Sequence, residues 1–444
     1  MKVKSITVGG FKNLERTRLR LEKITALVSP NNYGKSNLLE AIAFGVDFIS
    51  AGVKDRLTMM RWVKGIPVNN ALENEPYSFE VELEDDSLGE YRYIKYGYSF
   101  SWYRDDGSGQ KIIDERIEAR PTESVRYTSF LKRDEGKYRK DKTTNSFRRI
   151  LLDDAQLSVD VLLSLEEIAL HPVIRAIQSV RYHICSSLDL RDRFQAAPIE
   201  YVDHENDGAV TFDDFDVPRA LYQLKQRSPE KYELFLEAAF TLFPEFTDIS
   251  IQAYELKKEQ QEINMILAGA DGRILSEKLE TERDIPFRIK DELYRLVITS
   301  RHLNQPINMA MMSTGTKRVF WLLANVFIAS VRKTAMVGVE ELETSVHPRL
   351  LKSLLEILDE ALEDTILLVS SHSPFLIQYL KPQIIYLGVP NTDGTARFAK
   401  VQESRVKALI GSARGMGMSV GEYLFELMSG DQDAAESLSF YLEE

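Results

Sequence analysis

The chain has 444 residues, of which 44% are hydrophobic and 28% are charged, and its formal net charge is −12. This composition is typical of a globular protein with room for two or three domains. The negative charge argues against a protein that wraps nucleic acid with a generally cationic surface, so any binding of DNA or RNA would need a local basic patch.

A single cysteine, Cys185, allows no disulfide within the chain and argues against a cysteine-based metal site. The first six residues lack the apolar run of a secretory signal. No segment approaches ~20 uninterrupted apolar residues, the length that a membrane-spanning helix needs. These features predict a cytoplasmic protein without membrane contact.

The N-terminal residues alternate in the manner of strands, and the last of these runs, residues 24–28, leads into a turn. Proline, two asparagines and glycine lie in the turn, and Lys35-Ser36 then begin an apolar segment with helical spacing. Strand, loop and helix in this order form the setting of a phosphate-binding loop. Its backbone N–H groups would point at the β- and γ-phosphates, Lys35 would supply a charge, and the Ser36 hydroxyl would ligate Mg²⁺.

The loop departs from the pattern Gly-x-x-x-x-Gly-Lys-[Ser/Thr] at its first position, where Ser29 replaces glycine. This change predicts a narrower or weaker site. Asn32 also stands at a position where glycine is frequent, but asparagine tolerates a left-handed backbone better than other residues with a side chain. An ordinary strand, turn and helix is the alternative interpretation.

Residues 77–103 return to strand patterns, and the polar stretch that follows contains one strongly basic window. From Lys132 to Arg149, eight basic residues oppose three acidic ones. A solvated hairpin or loop is the expected structure here, and contact with nucleic-acid phosphates is the alternative.

Apolar spacing turns helical over residues 154–187 and 217–243, and strand patterns resume between residues 248 and 298. The whole pattern predicts an α/β fold, an ATPase head of mixed sheets with flanking helices, interrupted by a largely helical insertion. The predicted parts are residues 1–103 as the first part of the ATPase domain, 104–247 as the helical insertion with its basic loop, 248–390 as the second part of the ATPase domain, and 391–444 as an acidic helical tail.

Three segments of the second part carry polar residues suited to a nucleotide. Ser313 is placed to cap an apolar helix, and small residues such as Gly315 would leave its first N–H groups free for an anion. An apolar strand then ends in Glu340-Glu341, where one carboxylate can lie near Mg²⁺ and the other near the attacking water. Another strand ends in hydroxyls and His372, which can bind the γ-phosphate or orient the water. A buried capped helix and a structural histidine are the alternatives.

Taken together, the order and spacing of these segments resemble the ABC-type ATPases. The resemblance is to the branch that contains recombination and chromosome-maintenance ATPases, the overcoming-lysogenization-defect nucleases, and the ATPase subunits of anti-phage systems such as Septu and retron-associated operons. It covers roughly residues 1–100 and 250–390.

This resemblance implies that ATP and Mg²⁺ are the cofactors and assigns a role to each matching residue. Ser36 and Glu340 would hold the metal, Glu341 would be the general base, and His372 would be the switch histidine. The residues implied in holding the phosphates are Asn31, Asn32, Tyr33, Gly34, Lys35, Ser36 and Asn37. Glu340 replaces the aspartate of the family pattern, and its extra methylene moves the carboxylate by more than an ångström, which predicts altered metal geometry. The expected result is either slow hydrolysis or a protein that mainly binds ATP as a structural switch.

Ser313 and Gly315 correspond to the signature loop of the family. In ABC-type ATPases this loop reaches across a head-to-tail dimer to the γ-phosphate of the other chain's nucleotide. The resemblance therefore implies a homodimer or a higher homo-oligomer that ATP binding closes and hydrolysis opens.

The segment after His372 predicts a final strand and an acidic helical region, in which Asp431-Gln432-Asp433 belongs to solvated surface rather than to a nuclease metal site. We therefore predict an ATPase that acts as a nucleotide-dependent sensor or scaffold and controls a separately encoded nuclease or toxin in anti-phage defence. The alternative is a DNA-repair or recombination clamp that binds DNA directly through Lys132 to Arg149. A transporter subunit does not suit the inserted middle region.

Overall fold

The structure is a computed structural model, and it describes most of the chain. The described residues are 1–61, 66–104, 106–139, 147–164, 169–185, 193–195, 199–201, 216–255, 264–268, 274–278, 287–289, 292–391, 393–430 and 432–443. Contacts between Cα atoms divide the chain into two compact units. Unit 1 comprises residues 1–186 and 333–444, and unit 2 comprises residues 187–332.

Strands occur in both units. In chain order they are β1 (Lys2–Gly9), β2 (Thr17–Arg20), β3 (Ile24–Val28), β4 (Tyr77–Glu84), β5 (Tyr93–Ser101), β6 (Lys111–Arg120), β7 (Thr128–Lys132), β8 (Lys137–Tyr138), β9 (Arg148–Arg149), β10 (Tyr182–Cys185), β11 (Ile199–Tyr201), β12 (Phe246–Glu255), β13 (Asn264–Ala268), β14 (Ile274–Lys278), β15 (Phe287–Ile289), β16 (Glu292–Ser300), β17 (Ile307–Asn308), β18 (Met336–Val339), β19 (Ile366–Ser371), β20 (Ile385–Pro390) and β21 (Ala396–Lys400).

Helices flank these strands. In chain order they are α1 (Lys35–Ser50), α2 (Val53–Arg61), α3 (Ser158–Leu162), α4 (His171–Gln178), α5 (Val217–Arg227), α6 (Pro229–Leu242), α7 (Thr314–Arg332), α8 (Pro348–Ala361), α9 (Pro374–Tyr379), α10 (Val406–Gly415), α11 (Val420–Ser429) and α12 (Gln432–Tyr441). Among the described helices, none is long and apolar enough to cross a membrane.

Unit 1 contains a six-stranded sheet in the order β10-β18-β19-β3-β20-β21. Its strands run parallel except for β21, which pairs antiparallel with β20. Strands β3, β18 and β19 are buried along their whole length, which explains their continuous apolar sequences. Because these three strands are neighbours and parallel, the loops after them leave the sheet at one edge.

Unit 1 also contains an eight-stranded antiparallel sheet in the order β2-β1-β4-β5-β6-β7-β8-β9. Strands β4 and β5 alternate buried and half-buried residues, as expected for a sheet with one face on the core. Strands β6 and β7, in a segment that the sequence predicts as part of a mainly helical insertion, extend this sheet. Strands β8 and β9 pair antiparallel, which agrees with the hairpin or loop predicted over Lys132 to Arg149. Strand β6 pairs with β5 over most of its length, and this pairing stabilises it as a strand. Many of its charged residues lie on the exposed face, so its polar sequence is compatible with a strand.

Helix α1 packs against the antiparallel sheet through a cluster of aromatic rings. Phe44 lies 5.1 Å from Tyr77 and Phe48 lies 4.9 Å from Phe100, measured between ring centroids. Gly45 is required at the closest approach, because a Cβ there would lie 2.1 Å from the Phe79 ring. This packing holds the helix in place below the loop that precedes it.

The helical prediction for residues 154–187 is confirmed for α3 and α4 and is wrong for the last strand of that range. Strand β10 pairs in parallel with β18, at the edge of the six-stranded sheet. Four residues are too few to show a periodicity of either kind, so only the neighbouring strand determines this structure.

Unit 2 contains the predicted helices α5, α6 and α7 together with a three-stranded sheet in the order β12-β16-β17. Two further antiparallel pairs, β11 with β15 and β13 with β14, also belong to it. The helices predicted over residues 217–243 and the strands predicted near residues 248–254 and 293–298 are confirmed.

Candidate nucleotide site

Three strand ends bring the predicted site residues of unit 1 together. In the six-stranded sheet, Val369 of β19 is the partner of Val339 in β18, and Ser371 is the partner of Val28 in β3. The next residues therefore leave the sheet side by side, and the N–H of Ser29 donates to the carbonyl of Ser371 at 3.3 Å. This edge of a parallel sheet is where α/β proteins bind their ligands.

The loop between β3 and α1 has the backbone that a phosphate-binding loop needs. Asn32 has a φ of 69° and Gly34 a φ of 89°, so both adopt the left-handed conformation, as predicted for Asn32. Helix α1 begins after Gly34 without a side-chain cap, and its first turn contains no acidic residue. The N–H groups of this turn are therefore left for an external anion.

Ser29 is accommodated by a glycine on the neighbouring strand. It is fully buried, and its φ is outside the left-handed region, so the backbone does not require glycine here. A Cβ added to Gly388 of β20 would lie 2.8 Å from the Cβ of Ser29. The serine side chain therefore fits because residue 388 has none.

Lys35 is held inside the loop, with only 8% of its surface exposed. Its ammonium group donates to the carbonyl oxygens of Ser29 at 2.8 Å and Pro30 at 2.9 Å. Burial lowers the pKa of Lys35 from its ordinary value, while the carboxylates of Glu341 and Glu343 act in the opposite direction. The lysine charge therefore lies within the electric field of the carboxylates that follow β18.

Glu341, the predicted general base, has a strained backbone with a φ of 46°. Its N–H donates to the Ser370 hydroxyl at 3.2 Å, and its Oε2 accepts from the Thr344 hydroxyl at 3.1 Å. Both contacts hold the turn after β18 in this conformation. Strained residues of this kind are concentrated at functional sites, which agrees with the predicted role.

His372 follows the end of β19 and faces two carboxylates. Its Nδ1 lies 3.4 Å from Oε1 of Glu341 and 3.8 Å from Oε1 of Glu343, and 42% of its side chain is exposed. An imidazole whose Nδ1 faces carboxylates can present its other nitrogen, Nε2, to a ligand. The structure thus brings Lys35, Glu341 and His372 into one cluster of strand ends.

The predicted donors for a metal ion are oxygen atoms of Ser36 and Glu340. Ser36 is exposed in the first turn of α1, and the N–H of Glu340 donates to the Cys185 carbonyl at 3.3 Å. Burial raises the pKa of the Tyr182 phenol well above its ordinary value, and Glu340 adds to this effect. The Glu340 carboxylate therefore affects the pKa of Tyr182, whereas Glu341 and Glu343 affect the pKa of Lys35.

Within the described residues, no group of three or more His, Cys, Asp or Glu side chains could hold a metal ion alone. Mg²⁺ does not require such a group, because it is usually bound by one or two protein oxygens together with phosphate oxygens and water. Hydroxyl and carboxylate oxygens are the hard donors that Mg²⁺ prefers, so the residues present fit it.

The other residues predicted to hold the phosphates lie in the loop between β3 and α1 or in the first turn of α1. Asn31 and Asn32 are exposed, Tyr33 is half-buried, and the amide of Asn37 donates to the Asn13 side-chain oxygen at 2.7 Å. The last contact ties α1 to the turn after β1, and the sequence analysis did not anticipate it.

Ser313 and Gly315, the residues predicted to form the signature loop, lie in unit 2. Ser313 caps α7, as predicted, because its hydroxyl oxygen accepts the N–H of Thr316 at 3.2 Å and lies 2.8 Å from the Thr316 hydroxyl. Gly315 is in the first turn of α7, and Ser313 is exposed.

Glu343 was not predicted from the sequence, although the spacing Glu-Glu-x-Glu after a buried strand could have indicated it. In the acidic tripeptide near the C-terminus, Asp431 lies outside the described residues and Asp433 lies in the first turn of α12.

Comparisons with known proteins agree with this geometry. Residues 24–378 match the family described as "AAA domain, putative AbiEii toxin, Type IV TA system". Among solved structures, an Smc head bound to the C-winged helix domain of ScpA is similar with a TM-score of 0.51 and 12% identity, over 92% of this chain and 100% of that one. No curated protein matches the sequence.

Two further Smc head structures are similar at lower scores. The head domain from Thermotoga maritima has a TM-score of 0.41 and 12% identity, over 90% of this chain and 100% of that one. The head domain from Pyrococcus furiosus, with an extended coiled coil and bound to the C-terminal domain of ScpA, has a TM-score of 0.47 and 11% identity, over 93% and 99%. The chain belongs to the family described as "AAA domain, putative AbiEii toxin, Type IV TA system", and its fold is similar to that of an Smc head.

Proposed function

We propose that the chain binds ATP with Mg²⁺, hydrolyses it, and uses the nucleotide state of a head-to-tail dimer to hold or release a separately encoded effector in anti-phage defence. The observation that carries the proposal is the meeting of Lys35, Glu341 and His372 at three adjacent strand ends, with His372 Nδ1 3.4 Å from Glu341. A lysine, a carboxylate and a histidine that meet at adjacent strand ends supply the groups that binding and cleavage of a triphosphate require, which supports the proposal.

In this proposal each residue has a defined task. Lys35 exchanges the carbonyls of Ser29 and Pro30 for phosphate oxygens, and the uncapped start of α1 supplies N–H donors to the same phosphates. Glu341 accepts a proton from the attacking water, and His372 orients that water or binds the γ-phosphate. The metal ion, held by Ser36 and Glu340, would neutralise charge that develops on the phosphates.

Dimerisation completes the proposed site. Ser313 and Gly315 at the start of α7 would contact the γ-phosphate bound by a second chain, which makes the dimer dependent on ATP. The exposure of Ser313 supports this role, because its hydroxyl can reach a partner without unfolding the helix.

Control of an effector in defence is the finer part of the proposal. The family description names a toxin and a toxin–antitoxin system, which supports a defence role with a second component. The Septu- and retron-associated ATPases, which the sequence resembles, provide the specific form of this proposal.

The decisive experiment measures ATP hydrolysis by the purified chain, together with its mass in solution with and without ATP. We expect Mg²⁺-dependent hydrolysis and a doubling of mass in ATP. A monomer that neither binds nor hydrolyses ATP would contradict the proposal. Co-purification with the products of neighbouring genes tests the effector, and a chain that captures none of them would contradict that part alone.

A further inference from the structure

Glu343 has no task in the reaction proposed above, although it lies among the same strand ends. Its Oε1 accepts two hydrogen bonds from the residues that end β19, one from the Ser371 hydroxyl at 2.7 Å and one from the N–H of His372 at 3.1 Å. Only 11% of its side chain is exposed. A carboxylate from the turn after β18 therefore ties down the backbone at the neighbouring strand end.

The second oxygen of Glu343, Oε2, is buried and has no hydrogen-bond partner among the described residues. A carboxylate oxygen removed from water without a partner costs free energy, and most buried polar groups in proteins avoid that cost. A carboxylate that bears this cost while it accepts two hydrogen bonds from the end of β19 points to a role in the site.

The geometry around His372 indicates what that role is. The imidazole is partly exposed, and its Nδ1 faces Oε1 of Glu341 at 3.4 Å. The hydrogen bond from the N–H of His372 to Glu343 fixes the backbone from which this side chain extends. The Ser371 hydroxyl, which donates to Glu343, also accepts the N–H of Ser373 and so fixes the next turn.

We propose that Glu343 is a positioning residue of the ATPase site, which fixes His372 relative to the carboxylate of Glu341 through hydrogen bonds to Ser371 and to the His372 backbone. The inference rests on the proposed function, because His372 must act in ATP hydrolysis for its position to matter. In this role Glu343 acts through His372 and needs no contact of its own with the nucleotide or the attacking water.

The test compares the steady-state kinetics of Glu343→Ala and Glu343→Gln with those of wild type. Removal of a residue that supports another group at an active site typically costs about 10- to 100-fold in activity, and we expect this loss in kcat for Glu343→Ala with KM within about threefold. Glu343→Gln keeps an oxygen that can accept both hydrogen bonds, so its kcat should remain within about threefold of wild type. Glu356→Ala, an exposed glutamate on α8, is the matched control.

A double mutant distinguishes positioning from a general structural role. If Glu343 acts through His372, Glu343→Ala should have no further effect on kcat in a His372→Ala background. Full additivity of the two losses would overturn the inference, and so would a Glu343→Gln variant as impaired as Glu343→Ala or a Glu343→Ala variant as active as wild type. Thermal unfolding reports whether each variant is folded.

Ser371→Ala provides a second route if Glu343→Ala does not fold. It removes one of the two donors, so we expect a loss in kcat of about 3- to 10-fold, again absent in the His372→Ala background. An unchanged kcat would overturn the inference. An inactive wild-type chain contradicts the proposed function, whereas an active wild type with unaffected variants contradicts only the role of Glu343.

Discussion

Two helices begin at residues that the sequence assigns to the triphosphate, and their first turns differ. Helix α1 starts after Gly34 without a side-chain cap, whereas Ser313 caps α7 by accepting the N–H of Thr316. An uncapped helix start leaves its N–H donors for an anion, and a capped one has already satisfied a donor within the chain. The start of α1 thus needs a ligand, and the start of α7 does not.

The surroundings of the two helix starts add to this difference. Next to α1, the Lys35 ammonium group is folded onto two carbonyls of its own loop and lies in the field of two carboxylates. At α7, the oxygen of the exposed Ser313 accepts the N–H of Thr316, and the hydroxyl can donate its proton to a phosphate oxygen without giving up this cap. We infer that nucleotide binding depends on α1 alone and that α7 adds only to the closed dimer.

The largest expected effect comes from Glu341→Gln, which should stop hydrolysis while it leaves both helix starts intact. Loss of a general base typically costs about 10²- to 10⁴-fold, so we expect kcat to fall by about 10³-fold while ATP still binds. The variant should also prolong the ATP-bound dimer. Single-turnover hydrolysis and mass determination in ATP measure the two effects, and a variant with wild-type turnover would exclude Glu341 as the base.

Lys35→Ala should weaken the binding of ATP at the start of α1. A charge-assisted hydrogen bond contributes about 1.5–3 kcal/mol, so loss of the ammonium group should weaken ATP binding by about 10- to 100-fold. Titration with a fluorescent ATP analogue measures the change. Lys352→Ala, an exposed lysine of α8, is the control and should bind as wild type.

Ser313→Ala should test whether the start of α7 contributes only to the ATP-bound dimer. We expect ATP binding by the monomer to be unchanged, and both ATP-dependent dimerisation and hydrolysis to fall by about tenfold, since one hydrogen bond to the γ-phosphate is lost. Loss of the cap itself should lower the free energy of unfolding by about 1 kcal/mol. Ser419→Ala removes the equivalent cap of α11 and should show the same stability loss with normal ATPase activity. Weakened monomer binding in Ser313→Ala would contradict the division of roles.

Gly388→Ala tests the support beneath the α1 loop. A methyl group placed 2.8 Å from the Cβ of Ser29 should lower the free energy of unfolding by about 1–3 kcal/mol. Ser29→Gly should restore most of this loss in the double mutant, because it removes the opposing atoms. Gly411→Ala in α10, where a Cβ has nothing within 4 Å, is the matched control. Denaturant unfolding gives the free energy of unfolding of wild type, the two single mutants, the double mutant and the control. Additive losses would show that residues 29 and 388 do not share this space.

The smallest expected effect concerns the basic window, the basis of the DNA-clamp alternative. Several of its described cations already face carboxylates: Lys132 and Lys137 lie 3.0 and 3.1 Å from Glu135, and Arg133 lies 3.5 Å from Glu115. Charge reversal of Lys137 and Arg139 should therefore leave DNA affinity unchanged at several salt concentrations. A loss of affinity with a reduced salt dependence would instead favour the clamp. Lys140, also part of the predicted patch, lies outside the described residues.

The sequence by itself determined the local elements of the site. Residues 24–50 predicted strand, loop and helix because a buried strand, turn-forming residues and helical spacing are each visible within a few residues. The same reasoning identified Glu341 and His372, because each follows a short apolar run. It also predicted the left-handed backbone at Asn32.

Only the tertiary structure decided which strands pair and which side chains meet. The periodicity of a segment reports which of its faces is buried, but it does not identify the neighbour on that face. Strands β6, β7 and β10 were missed for this reason, since their pairing partners determine them. The contacts of Ser29 with Gly388 and of Glu343 with His372 join residues far apart in the chain, so no local pattern could have revealed them.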